Sequence, residues 1–169
     1  MSYISMSDLQ ELNGIYIRSI TEGMQQYLYC ILEGTKEQHY SLLNRLLETE
    51  GEHSAFADFY FKRLNPSNVE LLRKHLSEEQ SLLLDELIKE GQEGGVKEEF
   101  LLLELTDEIL RLLLHISFEE LLFSSFYMTK CPCTIWSNYG GRFLVFTKEQ
   151  EQIDKIMVLA KEIGMKIEK

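Results

Sequence analysis

Glu104, Asp107 and Glu108 come nearest, by type and spacing, to residues that could do chemistry in this 169-residue chain. Positions three and four apart share one face of a helix, so the three carboxylates would form an acidic row that Arg111 extends. Carboxylates this close on an otherwise apolar segment repel one another unless a divalent cation or basic side chains neutralise them. Hard oxygen ligands of that kind suit magnesium or manganese. The simpler account is a polar stripe that faces solvent or pairs with Arg111 or Arg63.

Two further patterns carry metal-ligand chemistry. Cys131-Pro132-Cys133 places two thiols one residue apart, with only Cys30 and four histidines to complete a set. Structural zinc uses four ligands, commonly in CxxC-like pairs, and redox pairs use CxxC at a helix start. Inert thiols at the start of a strand are therefore the expectation. Glu50-x-x-His53 has the i, i+3 spacing by which one helix offers two ligands. A di-metal site requires a second such motif on a facing helix, and the chain has none. Gly51 ends the helix there, which predicts a solvated loop rich in Glu and His. Nucleophilic catalysis has no candidate, since GxSxG is absent and His115 on an apolar stretch reads as a satisfied core histidine. No catalytic residue is assigned.

The acidic row supports one resemblance. The segment ELTDEILRLLL, residues 104–114, resembles the ExxD helix of the all-α nucleoside triphosphate pyrophosphohydrolases. The resemblance implies that Glu104 and Asp107 are magnesium ligands, with Glu108 beside them, in a phosphoanhydride hydrolase. That family carries an ExxE motif on the preceding helix. Here ExxE spacing falls at Glu90 and Glu93, which straddle Gly91 beside Gly94-Gly95, where the pattern predicts a loop. The likeness covers about a dozen residues.

For plain recognition the candidate residues are Trp136, Tyr139 and Arg142, three types enriched at binding hot spots, set around Gly140-Gly141. The competing account packs Trp136 into a sheet–helix interface and leaves Tyr139 to the turn.

The elements that must position these groups follow from periodicity. Residues 98–128 are apolar around most of a helical circumference, which predicts a buried central helix or helix pair, broken near His115-Ile116. Its charges exclude a membrane span. Upstream, a helix is predicted from Asp8 through Ile31, with Gly14 and Gly23 inside it, and Gly34 stopping it. Thr35 with Gln38 caps a second helix that Gly51 ends. The aromatic run at 54–64 closes at Asn65-Pro66. Residues 67–90 read as two helices meeting near Leu76-Ser77, or one continuous helix, and 92–95 as a loop. After residue 128 the texture changes. KCPCTIWSNYGGRFLVF reads as a β-hairpin turning at 137–141. A helix with Ile153, Ile156, Met157, Ala160 and Ile163 on one stripe follows, then a strand at 165–168. A strand-helix-strand run predicts a right-handed parallel crossover.

The expected fold is thus α+β and mostly α: a helical part, 1–128, around a buried central helix, with a small mixed-sheet part, 129–169, packed on it in one domain. Net charge of −11 disfavours nucleic acid and anionic membrane surfaces, and suits a basic protein partner. Three cysteines and no signal-peptide pattern suit the cytoplasm. The functional expectation is a non-enzymatic protein-binding or regulatory module, immunity- or antitoxin-like in its acidity, needing no cofactor. Self-association into a homodimer would use the apolar surplus of the central helix. The alternative is the magnesium-dependent hydrolase.

Overall fold

Leu28–Glu33 is a strand (β2), not the end of a helix, and it lies deep inside a sheet. The computed structural model describes residues 2–59, 64–93 and 102–169. The other strands are β1 (Tyr3–Ile4), β3 (Ala55–Asp58), β4 (Leu102–Glu104), β5 (Ser125–Met128), β6 (Cys133–Trp136), β7 (Arg142–Thr147) and β8 (Lys166–Glu168). Together they form one eight-stranded sheet in the order β1-β4-β3-β5-β6-β7-β2-β8. Every neighbouring pair is antiparallel. The expected helical bundle over 1–128 with a small mixed sheet after it is therefore wrong: five of the strands lie before residue 129.

The reason lies in how the sheet is covered. In β2, Cys30 and Leu32 point to one face and are fully buried, while Tyr29 and Ile31 pack on the other against Ile15, Ile17 and Leu144. Strands wrapped on both faces lose the apolar–polar alternation that marks a half-exposed strand. Short apolar runs of this kind are indistinguishable from buried helix by periodicity.

One face carries the helices α3 (Lys36–Glu50), α4 (Pro66–Arg73), α5 (Glu78–Glu93), α6 (Asp107–Phe118) and α7 (Gln150–Glu162). Their buried side chains join Ala57, Leu103, Phe126, Ile135 and Val145 of the strands in one cluster. α6 is its centre. Ile109, Leu110, Leu112, Leu113, Leu114 and Ile116 are each no more than 2% exposed. The central helix is thus real but covers only 107–118 of the predicted stretch, and it runs past His115 without a break. Its apolar surplus is used within the chain, which removes the argument from which a homodimer was expected. The opposite face is covered by the N-terminal stretch, with α1 (Met6–Glu11) and α2 (Ile20–Gln26) in place of the single predicted helix. Leu9 packs there with Phe56, Leu102 and Tyr127, and Ile15 and Ile17 with Leu144 and Phe146.

Local signals fare better. Thr35 and Gln38 exchange both hydrogen bonds of a capping box at the start of α3. Gly51 ends that helix at φ +72°. Ser77 and Gln80 form a second such box at the start of α5. Asn65-Pro66 opens a helix instead of closing a segment, because Asn65 caps α4 and Pro66 sits in its first turn. β6 and β7 form the predicted hairpin. β7–α7–β8 is a parallel crossover, for both strands pair antiparallel with β2 and so run parallel to each other, but β2 lies between them and leaves no parallel neighbours in the sheet. The predicted loop at 92–95 falls partly in α5, and Gly94 and Gly95 lie outside the described residues, as do Arg63 and Phe100.

Candidate functional site

The hairpin turn is built from ties to the end of α6. Ser137 Oγ donates to the Ser124 carbonyl and accepts from its N–H, both at 2.8 Å, and lies 3.2 Å from Ser117 Oγ, all of it buried. Glu120, at φ +56°, accepts the Gly140 N–H through its carboxylate at 3.0 Å. Gly141 has φ +64°, and a Cβ there would stand 2.5 Å from the Gly34 carbonyl oxygen, so a side chain is excluded twice over. Beneath the turn, buried His39 of α3 donates from Nε2 to the Gly141 carbonyl at 2.9 Å and stacks on Phe143, ring centroids 3.9 Å apart. Among the described residues, its Nδ1 has no hydrogen-bond partner. Burial pushes this imidazole down to about 4.

Between the two tied segments, 120–123 and 136–139, runs a groove of about 390 Å³, lined by Leu121, Leu122, Phe123, Trp136 and Tyr139 with Glu120 at its edge. Tyr139 is 63% exposed and meets Phe123 edge to face at 4.6 Å. Trp136 is half-buried and rests on the cluster beneath the N-terminal stretch. Two of the three residues singled out for recognition therefore share a surface. Arg142 does not. It pairs with Glu168 at 2.5 Å and approaches Glu33 at 3.8 Å, in a charged strip across β7, β2 and β8 that Lys166 completes. Phe123 was missed because LLFSSF reads as the tail of a buried helix. The usable signal was a run this apolar directly after a helix end.

The acidic row comes apart. Glu104 ends β4, while Asp107 opens α6, so the three carboxylates do not share a helix face. Glu104 lies 2.8 Å from His53 Nδ1 and accepts the His53 N–H at 3.1 Å. Asp107 is engaged by the Tyr40 hydroxyl at 2.5 Å and by Arg111 at 2.9 Å, and these bonds, the first most of all, hold its carboxyl below the usual range. Glu108 is exposed. Among the described residues, no three His, Cys, Asp or Glu side chains gather in a way that could hold a metal ion.

Glu50 and His53 also separate. Glu50, 2% exposed at the end of α3, accepts the backbone N–H groups of Thr129, Lys130 and Cys131 at 3.2, 2.7 and 2.8 Å. A carboxylate at a helix C-terminus is disfavoured by the helix dipole, and these three donors offset that. The predicted solvated loop is thus wrong at Glu50, which anchors the β5–β6 turn. Cys30 and Cys133 are buried in the sheet, and burial pushes both thiols up, Cys30 to about 11. Cys131 is half-buried beside Gln152, whose amide donates to its carbonyl. His115 is half-buried, not core, and both ring nitrogens are engaged.

Among the described residues, no helix is long and apolar enough to cross a membrane. The chain matches no protein-family model, no curated protein and no solved structure.

Proposed function

We propose that this protein is a non-enzymatic binding or regulatory module whose partner is a basic protein segment held at the groove of Phe123, Trp136 and Tyr139. The observation that carries the reading is the aromatic pair itself. Tyr139 is left largely exposed against Phe123, on a turn tied down by Ser137 and Glu120. A rigid, exposed aromatic surface offers contact area at small entropic cost on binding. Net charge of −11 supplies the complement to a basic partner and favours its approach. In its acidity the molecule is immunity- or antitoxin-like, and we place it in the cytoplasm. The hydrolase reading rested on a helical ExxD row, and Glu104 lies outside α6.

Trp136 is the only tryptophan, so its emission reports the groove directly. Titration with lysine- and arginine-rich peptides carrying one leucine or aromatic residue should shift that emission with saturation. Tyr139→Ala or Phe123→Ala should then weaken binding by about tenfold. If no basic peptide changes the emission, or both variants bind as well as the parent, the groove is not the partner site.

A further inference from the structure

His39 of α3 is wholly buried, yet only one of its ring nitrogens is bonded. The Gly141 carbonyl accepts from Nε2–H at 2.9 Å, so Nδ1 carries the lone pair, and among the described residues that nitrogen has no hydrogen-bond partner. A buried polar atom left unbonded costs free energy, and folded chains keep few of them. The ring is walled by Phe143 of β7 and by Phe118 at the end of α6, with centroids 3.9 and 5.6 Å from its own.

A proton on Nδ1 would bring a charge and a second donor into this space. Among the described residues, the charged groups of the surrounding elements are turned to other partners. Lys36 of α3 lies 3.2 Å from His115 of α6 and beside Glu37. Glu119 pairs with His75, and Glu120 takes the Gly140 N–H. On the sheet, Arg142 and Glu33 belong to the strip with Lys166 and Glu168. Burial therefore outweighs the bond to Gly141 and keeps the covered ring neutral.

The cover over the ring is slight on one side. α3 and β7 belong to the main cluster, but at Gly141 the cover is a three-residue turn, Tyr139–Gly141, in which both glycines have positive φ. A Cβ on Gly140 would meet nothing, so the turn has open space beside it. Its glycines are tied at two atoms. The Gly141 carbonyl accepts from both His39 and the Gly34 N–H, the latter at 3.2 Å, and Glu120 accepts the Gly140 N–H at 3.0 Å. Lifting this turn frees the ring at the loss of those bonds, whereas any other route parts α3 from the sheet. Local openings of this kind need less free energy than unfolding of the core.

We propose that His39 and the Tyr139–Gly141 turn form an acid-released latch, in which the imidazole takes up a proton only when the turn lifts and brings the ring to water. At neutral pH the latch is shut and Tyr139 is held in place. In acid the turn, and Tyr139 with it, comes loose. The latch does not depend on the aromatic groove having a partner; only its effect on binding rests on that reading.

The test is amide hydrogen exchange by nuclear magnetic resonance on the full chain, each rate taken relative to that of an unstructured chain at the same pH. The Gly34 and Gly140 N–H groups report the turn, and that of Leu113 reports the core of α6. A ring that binds a proton near 6.5 when exposed and near 4 when covered makes any opening that frees it about thirtyfold more frequent at pH 5 than at pH 7.5. Protection of Gly34 and Gly140 should fall by that factor, and at both pH values it should stay about tenfold or more below that of Leu113. His39→Gln, which keeps a neutral donor for the Gly141 carbonyl, and His39→Phe should each abolish the fall. Backbone spectra dispersed like the parent's would show the variants folded. Equal protection of turn and core would overturn the latch, because the turn would then open only with the whole chain. Turn protection that does not change with pH, or a fall that persists in a folded variant, would overturn it as well.

Discussion

The two faces of the sheet are covered by different means. On one, five helices and the buried inward residues of six strands, β2 to β7, form a single continuous cluster. On the other, the N-terminal stretch with two short helices covers two smaller clusters, one around Leu9 and Phe56 and one around Ile15 and Phe146. The same strands supply both, with Cys30 and Leu32 on the helical side and Tyr29 and Ile31 on the other. A large cluster held by long helices cannot collapse around a missing side chain as readily as a short segment can. The groove of Trp136 and Tyr139 lies where the two coverings meet, for Trp136 rests on the cluster of Ile15 and Ile17 while Leu121 and Leu122 pack on the helical cluster. Recognition is thus proposed at the edge between the two coverings.

The sharpest test of that contrast is a pair of truncations. Leu113→Ala in α6 should cost about 4 kcal/mol by denaturant unfolding, and Ile17→Ala in the N-terminal stretch about 2. Equal losses would mean that the N-terminal stretch is as rigid a layer as the helices. Glu50→Ala should come next, at about 3 kcal/mol, because three backbone donors of the β5–β6 turn lose their acceptor. A loss below about 1 kcal/mol would show that the turn finds other partners.

A pH effect should follow from His39. The unfolded imidazole takes up a proton near 6.5, and the folded one only near 4. As pH falls from about 6.5 to 4, protons therefore bind the unfolded chain first, and stability drops by up to roughly 3 kcal/mol. His39→Phe should remove that slope from this window, and a slope left unchanged in the variant would assign it to other groups. The smallest effect on stability should be that of Tyr139→Ala, within about 0.5 kcal/mol, since the ring is mostly exposed. A larger loss would make Tyr139 part of the packing and weaken its case as a binding residue.

Features decided within a few residues were legible in the sequence. The capping boxes of Thr35–Gln38 and Ser77–Gln80, the stop at Gly51, the β6–β7 hairpin and the buried stripe of α7 all rest on contacts a few residues apart, or on one short turn. So was the burial of Ile109, Leu110, Leu112, Leu113, Leu114 and Ile116, because a helix apolar round most of its circumference has no exposed solution.

Only the tertiary structure decided that Leu28–Glu33 and Ser125–Met128 are strands. The partners of the first lie far away in sequence, as with Cys30 opposite Val145, and the second joins the sheet through Phe126 opposite Ala57 as well as through the nearby β6; cover on both faces erases the alternation that would have announced them. The same holds for chemistry. Glu104 and Asp107 look like neighbours on one helix, yet a strand end and a two-residue turn send them to His53 and to Arg111. Phe123 and Tyr139, sixteen positions apart, meet because Ser137 and Ser124 tie their segments together. Local hydrogen bonding and apolar periodicity write elements into a sequence. Which elements pair, and which side chains then face each other, depends on burial that no short stretch of chain contains.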